Sequence, residues 1–212
     1  IGRAARVHLI ACTQCPTAQI LSTQLRCNFD SILGLKTRSA QDSRNIPFSP
    51  PDISELEIEE VAAALRSGWI TTGPRTKQLE KNIAAYVGTE KCVCLNSQTA
   101  CAEMALRLLG VGPGDEVIVP EPCFVCYAPL VTMAGGTPIS LETRAEDEFK
   151  LTPELLKSKI TSKTKILLLA YPNNPTGAIM TREELQAIAD IILETNIVVV
   201  SDEIYAEMTY GS

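Results

Sequence analysis

Hydrophobic positions recur at regular spacing only from residue 46 onward. Ser54 and Glu57 form a capping-box pair ahead of apolar residues at helical spacing, and Gly68 follows that stretch. A second stretch with one apolar face runs up to Gly88. The pattern predicts two successive helices at the start of the ordered region.

Beyond residue 90, short apolar runs alternate with longer amphipathic segments. The predicted strands are Lys91–Leu95, Glu116–Val119, Thr137–Leu141, Lys165–Ala170 and Ile197–Val200. The predicted helices are Ala100–Leu109, Val125–Ala134, one that begins at Thr152–Glu154, and one from the Thr181 and Glu184 capping pair to Glu194. Strands that alternate with helices are typical of α/β proteins, so we expect a three-layer α/β/α fold with a mostly parallel sheet.

Residues 1–45 show neither helical nor strand periodicity. We leave this segment unassigned and expect it to be non-native or disordered. The sequence therefore predicts one structured region, residues 46–212.

Composition excludes several classes of function. The chain of 212 residues has a formal net charge of −6 and no run rich in lysine and arginine, which argues against nucleic-acid binding. No stretch of about 18 apolar residues occurs, so no membrane span is expected. The single histidine, His8, excludes Ser-His-Asp relays and multi-histidine metal centres.

The eight cysteines are the remaining candidates for a metal or a disulfide. Several lie among apolar residues, where a free cysteine acts as a small hydrophobic side chain. The pairs Cys12/Cys15, Cys92/Cys94 and Cys123/Cys126 leave a zinc site or a disulfide as the alternative, but the spacing rules for zinc ligands favour a core role. We therefore predict no metal site and a reducing, cytoplasmic location.

Polar groups follow four of the predicted strands, where ligands of parallel α/β sheets bind. Asn96–Thr99 offers two hydroxyls and backbone N–H groups for a phosphate, although an ordinary helix cap is the alternative. Phe124 offers an aromatic face, or is simply core. The segment Tyr171–Gly177 supplies amides or only a turn, and Asp202 supplies a carboxylate or only a helix cap. Together these groups suit a phosphorylated aromatic heterocycle, for which pyridoxal 5′-phosphate (PLP) is the candidate.

The residues NNPTG, followed by an apolar strand and SDEIY, resemble the class I and II aminotransferases of fold type I. Residues 46–119, with GWITTGPRTKQLEKNIAAYVGTEKCVCLNSQTA and GVGPGDEVIVP, are instead similar to the nucleotide-sugar aminotransferases of the DegT/StrS type. Residues 120–212 resemble the class I and II branch. A natural hybrid and a fused or misassembled reading frame both remain open.

The resemblance implies a role for each matching residue. Asp202 would pair with the protonated pyridine nitrogen of PLP. Asn174 and Tyr205 would hydrogen-bond the phenolic oxygen of the ring. The ring face would stack on Phe124, and the phosphate would be held by Ser97, Gln98 and Thr99. Gln98 departs from the glycine or other small residue common at its position.

In these families the Schiff-base lysine comes after the Asp and Tyr motif, and none of the nine lysines here follows Asp202. The resemblance therefore implies an incomplete large domain that lacks the catalytic lysine and the small C-terminal domain and has little activity alone. The intact relative would be an aminotransferase that acts on a small-molecule amino donor and a keto acid or keto sugar, as a homodimer. A PLP-dependent lyase or decarboxylase, and a non-catalytic PLP-binding remnant, are the alternatives.

Overall fold

The computed structural model describes residues 53–207 and 209, together with the backbone of His8–Leu9. The chain divides into two compact units. One comprises Thr13–Cys94, and the other comprises Ile1–Cys12 with Leu95–Ser212.

The described part of the first unit contains two helices, α1 (Glu55–Arg66) and α2 (Pro74–Val87). Both helices confirm the predictions from the sequence pattern. The Ser54 side chain accepts from the first turn of α1 while Glu57 reaches back to the backbone of Ser54. Gly88 ends α2 with φ 72°, a left-handed conformation that costs glycine little.

The strand predicted at Lys91–Leu95 is wrong. The structure describes all five residues and assigns none of them to a strand. One reason is visible in the hydrogen bonds, because the backbone N–H of Cys94 donates to the side chain of Glu80 at 3.0 Å instead of to a neighbouring strand. The alternation of polar and apolar residues in KCVCL therefore does not correspond to a strand.

The second unit contains a five-stranded sheet in the order β1-β5-β4-β2-β3, and each neighbouring pair is parallel. Its strands are β1 (His8–Leu9), β2 (Glu116–Glu121), β3 (Thr137–Glu142), β4 (Thr164–Leu169) and β5 (Val198–Ser201). The last four match predicted strands within two residues at each end. The pairing of His8 with Val200 adds a strand inside the segment that the sequence analysis left unassigned.

Helices cover both faces of this sheet. They are α3 (Gln98–Leu108), α4 (Tyr127–Met133), α5 (Pro153–Lys159) and α6 (Arg182–Leu193). α5 and α6 begin where their predicted caps, Thr152 and Thr181, lie. α3 begins two residues earlier than predicted, so Gln98 and Thr99 belong to its first turn and not to a loop.

Two hydrophobic clusters show why three layers form. Val117, Val119 and Leu168 pack with buried residues of α3 and α4, whereas the alternate residues Ile118 and Leu167 pack with those of α5 and α6. Because successive side chains of a strand point to opposite faces, each central strand supplies both clusters. The α/β/α fold with a mostly parallel sheet is confirmed, and its carboxyl edge carries the polar residues described next.

Candidate active site

Asp202 lies directly after β5, at the carboxyl end of the sheet. Its backbone N–H donates to the carbonyl of Leu169 at 2.7 Å, which holds the residue beside the end of β4. Its Oδ1 accepts from the backbone N–H of Ile204 at 3.1 Å, as in an Asx turn. These two bonds fix both the backbone and the carboxylate of Asp202.

Two side chains from other elements donate to the second oxygen of the same carboxylate. The phenol of Tyr127, in the first turn of α4, donates to Asp202 Oδ2 at 2.7 Å. Gln98, the first residue of α3, donates to that oxygen through Nε2. The sheet edge therefore brings α3, α4 and the end of β5 to one carboxylate.

The partners of this carboxylate are all uncharged. Among the described residues they are the Tyr127 phenol, the Gln98 amide and the Ile204 N–H. No lysine or arginine of residues 53–207 forms an ion pair with Asp202. A carboxylate that is fixed by neutral donors and has no cation beside it is suited to a cationic ligand.

The N-terminus of α3 lies beside this carboxylate, because its first residue, Gln98, contacts Asp202. Ser97 is the N-cap, and its Oγ accepts from the backbone N–H of Ala100 at 3.1 Å. The cap uses Oγ as an acceptor and leaves its O–H free to donate. The N–H groups of Gln98 and Thr99 belong to the first turn, where helical carbonyls cannot reach them. This arrangement is suited to an anion such as a phosphate.

Cys126 completes the group around Asp202. Its Sγ lies 3.8 Å from Gln98 Oε1 and acts as a weak donor to it. Burial raises the pKa of the Cys126 thiol and the Asp202 charge adds to this, while hydrogen bonds with Thr99 and Gln98 oppose it. We call Gln98, Thr99, Cys126, Tyr127 and Asp202 the Asp202 cluster. A thiol with a raised pKa stays protonated at neutral pH, so Cys126 is no nucleophile here.

Phe124 lies next to the Asp202 cluster through Tyr127. The two rings are in edge contact, with centroids 6.4 Å apart and planes at 71°. Phe124 is 41% exposed and, with seven other residues between Glu121 and Thr143, lines a cavity of about 580 Å³. The lining of this cavity includes Phe124 but no residue of the Asp202 cluster.

Asn174 and Tyr205 form a separate pair. Asn174 Nδ2 donates to the Tyr205 phenol oxygen at 3.3 Å. Within the described chain, no hydrogen bond joins this pair to the side chain of Asp202. The structure therefore brings Gln98, Thr99 and Asp202 into one group, and Asn174 and Tyr205 into another.

The loop that carries Asn174 is tied to the loop after β2 by its neighbour, Asn173. Asn173 is buried, and its Nδ2 donates to the carbonyl of Pro122 at 3.1 Å. Gly177, with φ 71°, closes the turn by donating its N–H to the Asn173 carbonyl at 2.8 Å. Asn173 Oδ1 is buried without a hydrogen-bond partner among the described residues.

We expect Asn173→Ala to lower the free energy of unfolding by about 1 kcal/mol. The change takes the Asn173 donor away from the carbonyl of Pro122, a residue that is itself exposed, and it also removes the unpartnered buried acceptor Asn173 Oδ1, which offsets part of the loss. Urea denaturation measures the difference. As a control, Asn82→Ala removes an exposed side-chain hydrogen bond with Gln78 and should change stability by less than about 0.5 kcal/mol. Equal losses of stability in the two variants would contradict a stabilising role for the hydrogen bond between Asn173 and Pro122.

Sequence reasoning missed Tyr127 and Cys126. Tyr127 is only 3% exposed although its phenol is polar, and burial, followed by the Asp202 charge, raises its pKa. A tyrosine at the start of an apolar helix, three residues after Phe124, was the available signal, because a buried phenol needs a partner.

Three Cys, His, Asp or Glu side chains suited to a metal do not come together in the described part of the chain. None of its helices has the length and apolar character to cross a membrane.

Comparison with known proteins places these features in a family. The model of the family "Aminotransferase class I and II" matches residues 39–212. This match crosses the stretch, near residues 114–120, where the two resemblances in the sequence meet. Among curated relatives, the aspartate aminotransferase of Geobacillus stearothermophilus is 43% identical over 126 residues, covering 59% of this chain and 32% of that protein.

Relatives from the sugar-modifying branch match as well. The UDP-4-amino-4-deoxy-L-arabinose–oxoglutarate aminotransferase of Shewanella sediminis is 37% identical over 161 residues, 76% of this chain and 40% of that protein. Among solved structures, the sugar aminotransferase Spr1654 of Streptococcus pneumoniae in its PLP form matches this chain with a TM-score of 0.63 and 44% sequence identity. The match covers 74% of this chain and 42% of that chain. The chain spans 25–40% of the length of the curated relatives it matches.

Proposed function

The chain belongs to the class I and II aminotransferases, and we propose that it forms part of the PLP-binding large domain of an enzyme that transfers amino groups. In this proposal residues 46–212 form part of that PLP-binding large domain, and the whole enzyme transfers an amino group from an amino donor to a keto acid or keto sugar. The observation that carries the proposal is the Asp202 carboxylate, which has only neutral partners and stands beside the N-terminus of α3.

The residues of the site fit such a cofactor. PLP has a ring nitrogen that is cationic when protonated and a phosphate group at the other side of the ring. Asp202 supplies an anion for the nitrogen, and the N-terminus of α3 supplies N–H groups for the phosphate. The chemistry that PLP supplies when bound is the withdrawal of electrons from a carbon that loses a proton.

We assign the other site residues on the same basis. Ser97 and Thr99 would hold the phosphate with their hydroxyls, and Gln98 with its backbone N–H, since its side chain is already used by Asp202. Phe124 would cover one ring face. The Asn174–Tyr205 pair would donate hydrogen bonds to the phenolic oxygen of the ring.

The carboxylate also needs its neutral partners. Tyr127 and the N–H of Ile204 fix the direction of both oxygens, so Asp202 can meet a ring nitrogen without rearranging. The Tyr127 phenol stays protonated because its pKa is raised by burial and by Asp202. It can therefore act only as a donor to the carboxylate near neutral pH.

We further propose that the whole enzyme is a cytoplasmic homodimer. The resemblance to the aminotransferase families supports the dimer. The described cysteines carry thiols and form no disulfide with one another, which supports a reducing compartment.

Binding of 4-deoxypyridoxine 5′-phosphate tests the cofactor site, because this probe keeps the ring and the phosphate but lacks the aldehyde that reacts with any lysine. Calorimetric titration of the chain should show saturable binding of one molecule, and 4-deoxypyridoxine without the phosphate should bind much more weakly. Absence of saturable binding would contradict the proposed site. For the reaction, the whole enzyme with an amino acid and 2-oxoglutarate should form glutamate, whereas release of CO₂ without glutamate would favour the decarboxylase alternative.

A further inference from the structure

Gln98 uses both ends of its carboxamide within the Asp202 cluster. Its Nε2 donates to Asp202 Oδ2, and its Oε1 lies 3.8 Å from the Cys126 Sγ. As the first residue of α3, it has a backbone fixed at the edge of the sheet by the Ser97 cap. The amide therefore lies against Oδ2, one of the two carboxylate oxygens to which a ring nitrogen can bind.

The acceptor sites of the carboxylate are nearly all in use. A carboxylate oxygen has two lone-pair directions, about four for the whole group. Oδ2 accepts from both Gln98 and Tyr127, and Oδ1 accepts from Ile204. A ring N–H can reach Oδ2 in good geometry only if one of the two side-chain donors leaves.

The two donors differ in their freedom to leave. Tyr127 is 3% exposed and belongs to the core cluster around α3 and α4, so its ring cannot move without opening the core. Gln98 is only partly buried, and its flexible side chain can turn toward solvent while its backbone stays in the helix. Gln98 is therefore the donor that can move.

We propose that the side chain of Gln98 competes with the cofactor ring for Asp202 and thereby lowers the affinity of the chain for the cofactor. The inference rests on the proposed function. When the ring binds, the carboxylate exchanges one hydrogen bond for another, so this contact adds less to binding than it would at an open carboxylate. Without the cofactor, the same amide satisfies a carboxylate that has no cation beside it.

The experiment is a calorimetric titration with 4-deoxypyridoxine 5′-phosphate of the wild-type chain and Gln98→Ala. Alanine keeps the helix and its backbone N–H groups but removes the competing amide. We expect Gln98→Ala to bind the probe about fivefold more tightly. As a matched control, Gln186→Ala removes a similar Gln-to-Asp hydrogen bond, to Asp190 at 2.7 Å on α6, and should leave the affinity unchanged.

Two further measurements separate competition at Asp202 from other effects of the substitution. In an Asp202→Asn background, the gain from Gln98→Ala should shrink to less than twofold, because a neutral amide replaces the carboxylate. Titration with inorganic phosphate alone should give the same affinity for the wild type and Gln98→Ala, since the helix N-terminus is intact.

The outcomes distinguish the inference from the proposed function. Equal affinity of the wild type and Gln98→Ala for the ring probe, or a gain that persists in full with Asp202→Asn, would overturn the competition alone. Weaker binding by Gln98→Ala would also overturn it and would make the Gln98 side chain a cofactor ligand. Absence of ring binding by every variant would overturn the proposed function, and the inference with it.

Discussion

Asp202→Ala should weaken binding of 4-deoxypyridoxine 5′-phosphate by about tenfold, the lower end of the range for loss of a hydrogen bond to a charged group, because the ring has to displace Gln98 from this carboxylate. The substitution removes the only group of the Asp202 cluster that carries a negative charge at neutral pH, so a protonated ring nitrogen would lose its partner. Calorimetric titration at neutral pH measures the change. Inorganic phosphate should bind Asp202→Ala at least as well as the wild type, because a nearby negative charge has been removed.

The control for this substitution is Asp190→Ala on α6. Asp190 accepts from Gln186 as Asp202 accepts from Gln98, but it lies on an exposed part of a helix. Asp202→Asn is the second variant, because it fills the same space and keeps an acceptor for Tyr127. Both substitutions at 202 should weaken ring binding and Asp190→Ala should not. If Asp202→Asn is folded and binds 4-deoxypyridoxine 5′-phosphate as tightly as the wild type, the role that we assign to the charge of Asp202 is wrong.

Local sequence signals predicted the fold well where they have a local physical cause. The capping pairs Ser54–Glu57 and Thr181–Glu184 marked the starts of α1 and α6 because each pair satisfies N–H groups of its own helix. The apolar runs at β2 and β4 indicated buried strands because both faces of a parallel sheet are covered. These signals need no knowledge of distant residues.

The segment Lys91–Leu95 shows the limit of local signals. Its alternating pattern is typical of a strand, but a strand also needs a neighbour to accept its hydrogen bonds. The Cys94 N–H is bonded to Glu80, a residue of α2 that the pattern of KCVCL gives no means of identifying. Tertiary contacts therefore decided the structure of this segment.

The candidate site shows the same division. The rule that ligands bind at the carboxyl ends of strands correctly placed Asp202 after β5 at this edge of the sheet. It placed Gln98 there by way of a strand at Lys91–Leu95 that does not form. The side-chain contacts could not be predicted, because the amide of Gln98 and the phenol of Tyr127 reach Asp202 across 104 and 75 residues of sequence. These two contacts form only because α3 and α4 pack on the sheet, and that packing is not visible in the local sequence pattern.

Tyr127→Phe should lower the free energy of unfolding by about 1.5–3 kcal/mol at pH 7, because it removes a hydrogen bond to a charged acceptor while keeping the buried ring. The matched control is Tyr171→Phe. Tyr171 is also buried in part, but its phenol donates to a neutral acceptor, the Phe149 carbonyl, at 3.2 Å. That control should cost about 1 kcal/mol or less. Urea denaturation of the three proteins gives the comparison, and equal losses would contradict a charge-assisted bond at Asp202.

The pH dependence gives an independent test of the same contact. Burial, followed by the Asp202 charge, raises the pKa of Tyr127 above its usual value of 10.0. In the unfolded chain the phenol ionises near pH 10, whereas in the folded chain it stays protonated, so its contribution to stability is complete below pH 10 and declines above it. The stability difference between wild type and Tyr127→Phe should therefore narrow as the pH rises from 9 to 11. A difference that stays constant over this range would show that Asp202 and burial do not hold the proton on Tyr127.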